Sequence, residues 1–186
     1  MKNEKSNLRK KFLLKRKKNY LTPEKFNFEL IFNLIKKNFY KKKITIAGYY
    51  PANYEVDILD FLQKASKKKF KIVLPVIKSK SKMSFKLWFS NEPLYVSKFG
   101  ILEPHKSNKE IIPDLIMVPL VAFDKQLNRI GYGKGYYDRI LSRMSKKKDK
   151  LISVGIANSF QQCKNIPANK YDFKLDYIFT DQGIIN

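Results

Sequence analysis

The chain has 186 residues, 44% of them hydrophobic, and carries a net charge of +23 from 39 Lys and Arg against 16 Asp and Glu. That length suits one compact domain, residues 1–186, able to bury roughly 70% of its unfolded surface without a staple, and the apolar share excludes wholesale disorder. One cysteine, Cys163, and one histidine, His105, exclude a disulfide framework, a four-cysteine zinc site and a histidine-rich metal centre; both are read as structural.

Lys5 to Asn19 is predicted to be a basic helix, docking through a thin face of Leu8, Phe12 and Leu13. Thr22-Pro23-Glu24 has the chemistry of a helix start: a capping hydroxyl, proline at the first helical position and a carboxylate in the first turn. The helix it opens carries Phe28, Ile31, Phe32, Ile35 and Phe39 on one face, as a core helix does. Both helices, residues 1–40, are expected to pack on the rest.

A strand is predicted over Lys43 to Tyr49, then a Pro-Ala-Asn turn, a helix from about Val56 to Lys68, and a strand over Phe70 to Val76. Met83 to Phe89 alternates as a half-exposed strand, with Met83, Phe85, Leu87 and Phe89 on one side; Trp88 falls out of step, and its side is left open. Leu94 to Ile111 shows turn residues and little periodicity. Short strands follow over Leu115 to Val118, Leu151 to Ile156 and Leu175 to Thr180. Strands alternating with amphipathic helices predict an α/β fold: three layers, a mostly parallel sheet flanked by helices, Rossmann-like, with mixed pairing left open. Ligands in such sheets bind at the carboxyl ends of the strands.

The charge has two readings. The lysine runs at 16–18, 41–43, 67–69 and 146–148 are dispersed, which favours the compositional drift of an AT-rich genome over a nucleic-acid surface. Either way the field attracts anionic substrates. The charged N-terminus has no apolar stretch behind it, so it is not read as a secretory signal. Leu115 to Phe123, interrupted by Pro119, falls short of the ~20 residues that span a bilayer. A cytoplasmic setting is expected.

Asn128 to Arg139 is the informative stretch. Three of the 7 glycines, Gly131, Gly133 and Gly135, alternate in it. Such a loop turns sharply and presents bare N–H groups to anionic oxygens. From Gly135 onward Tyr136, Tyr137, Ile140, Leu141 and Met144 have helical spacing, so the loop opens a helix whose N-terminus favours phosphate. Arg129 and Lys134 bracket it with cations, and Asp138 in the first turn can hold a hard cation such as Mg²⁺. Neither the GxxxxGK[ST] loop nor the GxGxxG spacing is present. A tight turn with a capping aspartate is the other reading that spacing permits.

Arg129 to Asp138, RIGYGKGYYD, resembles the signature of the 5-formyltetrahydrofolate cyclo-ligase (methenyltetrahydrofolate synthetase) family. KSNLR at 5–9, YYPANYEVD at 49–57, IVLP at 72–75, ILEP at 101–104, DLIMVPLVAFD at 114–124 and DFKLDYIFTD at 172–181 resemble further family stretches in the same order. Leu120 departs from the pattern, standing where the family's Pro-Gly-x-x-Phe-Asp run has glycine; Lys134 replaces the commoner middle glycine of the signature.

The resemblance implies an ATP-dependent ring closure of 5-formyltetrahydrofolate to 5,10-methenyltetrahydrofolate, yielding ADP and phosphate with Mg²⁺, by a monomer that needs no membrane or specific nucleic acid. By it, Lys5, Arg9 and the run from Arg129 through Gly131, Tyr132, Gly133, Lys134, Gly135 and Tyr136 to Tyr137 bind ATP. Tyr50, Glu55 and Tyr132 to Tyr136 face the folate. Asp138 and Asp172 hold Mg²⁺, and Arg129, Lys134 and Asp138 act in catalysis. The competing classes are a basic RNA-binding protein and a nucleotide- or folate-binding module that has lost turnover.

Overall fold

The computed structural model describes residues 2–22, 24–40 and 43–186; Pro23 of the predicted helix start and Lys41 and Lys42 of one lysine run lie outside them. Helix α1 spans Lys2–Asn19 and α2 spans Glu29–Asn38. Strand β1 (Thr45–Ala47), helix α3 (Leu59–Lys67) and strands β2 (Lys71–Ile77) and β3 (Met83–Leu87) follow. Two small hairpins come next in the chain, β4 (Tyr95–Val96) with β5 (Leu102–Glu103), and β7 (Ala122–Phe123) with β8 (Arg129–Ile130). Between them lies β6 (Leu115–Pro119). Helix α4 (Tyr136–Ser145) and strands β9 (Ile152–Ile156), β10 (Tyr177–Thr180) and β11 (Gly183–Ile185) complete the order.

The main sheet has the order β11-β10-β9-β6-β1-β2-β3. Its five central strands, from β10 to β2, are parallel, and β3 and β11 pair antiparallel at the two edges. The near-continuous apolar runs ITIA, IVLPV and LIMVP suit strands covered on both faces. On one face Ile46, Leu74, Met117, Val154 and Phe179 pack with α2 and α3. On the other Ala47, Val73, Ile116, Val118 and Ile178 pack with α4. These are the three layers expected. The chain leaves β1 toward β2 on one side and later places β6 on the other. This reversal of strand order opens a crevice at the carboxyl ends of β1 and β6.

Helix α1 lies away from both sheet faces. Phe12, with Leu8 and Leu13, packs on Val121, Ala122, Ile130 and Ile166 around the β7–β8 hairpin, the face its spacing predicts. The hairpin is pinned from inside by Asp124. Its buried carboxylate accepts N–H bonds from Gln126, Asn128 and Ile166 at 2.9–3.0 Å and from the Asn128 side chain at 3.1 Å.

Several local expectations are corrected. The helix after Thr22 begins at Glu29, not Glu24. Phe26 and Phe28 pack on Phe179 and Phe61, and this aromatic contact overrides the local capping signal. Strand β3 stops at Leu87. Trp88 is buried with its indole N–H donated to the Glu92 carbonyl, while Phe89 is exposed. Strands β4, β5, β7, β8 and β11 are too short to show a period.

Leu120, at the family's glycine position, is fully buried and does not adopt a left-handed backbone. Its side chain fills space left by Gly155 on β9, where an added Cβ would stand 2.7 Å from Leu120 Cδ2. Two backbone carbonyls in the switch-point crevice, those of Leu120 and Val121, are held by the Gln161 amide at 3.0 and 2.9 Å.

Candidate active site

The glycine loop joins β8 to α4. Gly133 (φ +92°) and Gly135 (φ +64°) adopt left-handed backbone, and Gly135 is the N-cap of α4. L-residues pay for these angles, which is why the turn uses glycine. At Gly133 a Cβ would come within 3.3 Å of the Arg9 guanidinium. Arg9 Nε donates to the Gly131 carbonyl at 2.8 Å. A residue 122 positions away in the chain is thus seated against the loop, with its terminal nitrogens directed along it.

Lys5, one turn before Arg9, pairs with Asp172. The same Asp172 oxygen accepts the Asn169 N–H at 2.7 Å. Across the loop, Arg129 is nearly buried and bonds Asp138 Oδ1 at 2.5 Å and the Phe173 carbonyl. Burial pulls the Arg129 pKa below its ordinary value, and the Asp138 charge opposes that pull. Asp138 Oδ1 also accepts the Phe173 N–H at 3.1 Å. Asp138 and Asp172 both line a cavity of about 680 Å³ between α4 and residues 170–173, rimmed by Arg143, Lys147 and Lys170.

On the other side of the loop Tyr132 donates to Glu55 Oε1 at 2.9 Å, while Glu55 Oε2 accepts the Ala52 N–H at 3.0 Å. Desolvation raises the pKa of Glu55, and it raises those of the surrounding phenols Tyr49, Tyr132 and Tyr137 as well, with the Glu55 charge adding to each phenol. Tyr49 donates to the Val56 carbonyl at 2.9 Å. Tyr50 is half-buried just past β1. Tyr137 packs with the α4 core, as expected of one tyrosine of the pair, and Tyr136 reaches the Ser79 carbonyl at 3.2 Å. Lys134 is exposed, its ammonium 4.0 Å from the centre of the Phe99 ring.

The structure therefore brings together Lys5, Arg9, Arg129, the glycines, Asp138 and Asp172, with Glu55 and Tyr132 beside them. Lys134 and Tyr136 sit on the outer side of the loop, toward Phe99 and Ser79. His105 bonds Ser107, and Cys163 lies against the Phe123 carbonyl, so both are engaged structurally.

One residue of this constellation does not stand out in the sequence. Arg16 reads in the sequence as one of a basic run, yet it is 2% exposed. It bonds the Tyr132 hydroxyl at 2.6 Å, the Leu120 carbonyl at 3.2 Å and the Asn53 carbonyl. The signal was its phase: Lys5, Arg9, Phe12 and Arg16 recur at steps of 4, 3 and 4, one stripe of a helix.

The carboxylates suit a hard cation. Each has one oxygen tied by the bonds above, and no bond to the other is found among the described residues. Mg²⁺ is ordinarily held by one or two carboxylates together with substrate phosphates, so a pair without a third acidic ligand fits. No cluster of three or more His, Cys, Asp and Glu side chains that could hold a metal occurs among the described residues.

A doubly wound α/β sheet with a cation-lined glycine loop near its strand-order reversal has the geometry that suits an anionic ligand. The chain belongs to the 5-formyltetrahydrofolate cyclo-ligase family, whose model matches residues 1–181. It is 35% identical to the 5-formyltetrahydrofolate cyclo-ligase of Mycoplasma genitalium, over 94% of this chain and 96% of that one. The solved structure of Aquifex aeolicus 5,10-methenyltetrahydrofolate synthetase superposes with a TM-score of 0.73 at 33% identity, covering 97% of this chain and 91% of that one. That of a 5,10-methenyltetrahydrofolate synthetase from Mycoplasma pneumoniae gives 0.70 at 28% identity, covering 95% and 98%. No helix among the described residues is long and apolar enough to cross a membrane.

Proposed function

We propose that this protein is an enzyme that closes 5-formyltetrahydrofolate to 5,10-methenyltetrahydrofolate at the expense of ATP. The observation that carries this reading is the seating of Arg9 on the glycine loop: two α1 cations, the loop N–H groups and the start of α4 converge where a triphosphate would lie. Residues 1–186 act as one unit in this reading, since α1 and the loop each supply half of the cation set.

The formyl oxygen is a poor leaving group. Transfer of the γ-phosphoryl group from ATP to that oxygen releases ADP and makes it a good one. N10 then attacks the formyl carbon and gives up its proton, and the C–O bond breaks to release phosphate. Such a sequence asks the protein for positioning and charge neutralisation rather than a covalent nucleophile. Lys5 and Arg9 hold phosphate oxygens, and the N–H groups from Gly131 to Tyr137 line the nucleotide. Arg129 balances the charge that develops, and Lys134 joins it in this reading by swinging in from its place against Phe99 on the outer side of the loop. Asp138 and Asp172 would hold Mg²⁺, which when bound neutralises phosphate oxygens. Glu55 accepts N–H bonds from the pterin ring, with Tyr50 and Tyr132 beside it. The enzyme works as a monomer in the cytoplasm.

Purified protein mixed with 5-formyltetrahydrofolate, ATP and Mg²⁺ is expected to develop the near-ultraviolet band of the conjugated methenyl product. That band should depend on ATP and vanish when Mg²⁺ is chelated. A flat trace from folded protein would exclude the reading.

A further inference from the structure

Arg16 has no part in the phosphate chemistry, yet it is the most deeply buried cation of the site. Its guanidinium joins three separate segments: the Leu120 carbonyl after β6, the Asn53 carbonyl before Glu55, and the Tyr132 hydroxyl of the glycine loop. It also lies 5.7 Å from the centre of the Tyr132 ring. A filler of the α1 interface has no need of charge, and a buried cation is costly unless its donors are used. Here the cost is not even fully offset, because Arg16 Nε is buried and has no partner among the described residues. Two of the three bonds it does make, to the Asn53 carbonyl and the Tyr132 hydroxyl, lie next to Glu55.

Two further features point the same way. Asn53 (φ +48°) and Tyr54 (φ +61°) are consecutive left-handed residues, a conformation that a non-glycine pair holds only when its surroundings impose it. Arg16 ties the first of them through its carbonyl. The Tyr132 hydroxyl accepts from Arg16 and so has its proton free for Glu55 Oε1, at 2.9 Å. A carboxylate has about four acceptor directions; with Tyr132 and Ala52 using two, the others remain for a ligand.

We propose that Arg16 is a positioning residue for the folate: through Tyr132 and the 53–55 turn it fixes the Glu55 carboxylate, ionised and aimed, for the N–H edge of the pterin. This rests on the cyclo-ligase reading of the same site. The groups that face Glu55 are Arg16 from α1, Tyr49 after β1, Tyr132 of the loop and Tyr137 of α4. Arg16 is the cation among them, so its loss makes Glu55 take up a proton at higher pH.

The test is steady-state kinetics on Arg16→Met, Arg16→Lys and Tyr132→Phe, with KM measured separately for 5-formyltetrahydrofolate and ATP. Arg16→Met is expected to raise the folate KM at least tenfold, to leave the ATP KM within twofold, and to move the acid limb of kcat/KM for folate to higher pH. Arg16→Lys should recover part of the folate KM. Tyr132→Phe should raise the folate KM while keeping the buried charge, and should add little when combined with Arg16→Met. A folded Arg16→Met enzyme with unchanged folate KM and acid limb overturns the proposal, as does a parallel rise in both KM values. If Arg16→Met does not fold, Tyr132→Phe decides, and an unchanged folate KM there is fatal. An inactive wild-type protein would instead overturn the cyclo-ligase reading, a distinct result seen before any variant is made.

Discussion

Asp138 has two duties that a substitution separates. It pairs with a nearly buried Arg129, and it lines the cavity shared with Asp172. Asp138→Asn keeps an acceptor for the Phe173 N–H but leaves the guanidinium without its counter-charge. Breaking a buried pair costs about 3–5 kcal/mol, and the partial exposure of Asp138 lowers this one to about 2 kcal/mol. We expect a detectable fall in Tm together with a loss of at least a hundredfold in kcat, measured on protein shown by circular dichroism to be folded. Full activity in this variant would remove Asp138 from the metal site. Glu55 acts in the opposite electrostatic sense. Burial raises its pKa, so the folded chain binds its proton more tightly than the unfolded chain. Its contribution to stability is therefore present below the unfolded value of 4.5 and is lost as pH rises through the higher folded value. Glu55→Gln removes that loss. Relative to wild type, the variant should gain stability between pH 4 and pH 7.5, while its folate KM rises. Thermal melts at the two pH values check the first part, and a stability difference that does not change with pH, or changes in the opposite sense, would contradict it.

At the scale of elements, the instructive pair is Leu120 and Gly155. The first replaces the glycine of the family pattern, and the second gives its side chain room across the β6–β9 register, in which Val118 faces Gly155. Leu120→Gly should cost about 3–5 kcal/mol, combining a core cavity with a freer unfolded backbone. Gly155→Ala should cost about 1–3 kcal/mol, because its Cβ would stand 2.6–2.7 Å from Ile178, Leu120 and Leu175. Made together they should cost less than the sum, since the new methyl enters the space Leu120 vacates. Urea melts of the two single variants and the double close this cycle; strict additivity would mean the two sites are not coupled. The same scale explains α1. Its apolar stripe is thin, and what holds it is Phe12 in the hairpin cluster together with the polar bonds of Arg9, Arg16 and Lys5 to partners more than 100 residues away, Asn53 excepted. Docking and site assembly are therefore one event, and helix capping signals such as Thr22-Glu24 yield to packing where large aromatics need a place.

At the scale of the whole molecule, a charge of +23 surrounds a site built for anions. Exposed charges act over a Debye length of about 10 Å at 0.1 M salt, so the field should accelerate encounter more than it strengthens contact. We expect kcat/KM for ATP to fall several-fold between 0.05 and 0.5 M salt with kcat within twofold. A flat kcat/KM would show that the lysines are ornament left by composition. The order of amino acids dictates what depends on neighbours in the chain: the amphipathic helices, the apolar strand runs and the glycine loop opening a helix. It also carried the family, because RIGYGKGYYD is long and its turn needs those glycines locally. Strand order, the antiparallel edges and the small hairpins came only from the tertiary structure, because pairing partners are chosen by burial across the whole sheet and strands of two residues have no period to read. The same holds for Arg16. Its residue type is ordinary for a basic helix, and only the fold, by closing α1 over the switch-point crevice, turns one arginine of a basic run into a buried group bridging Tyr132, Asn53 and Leu120.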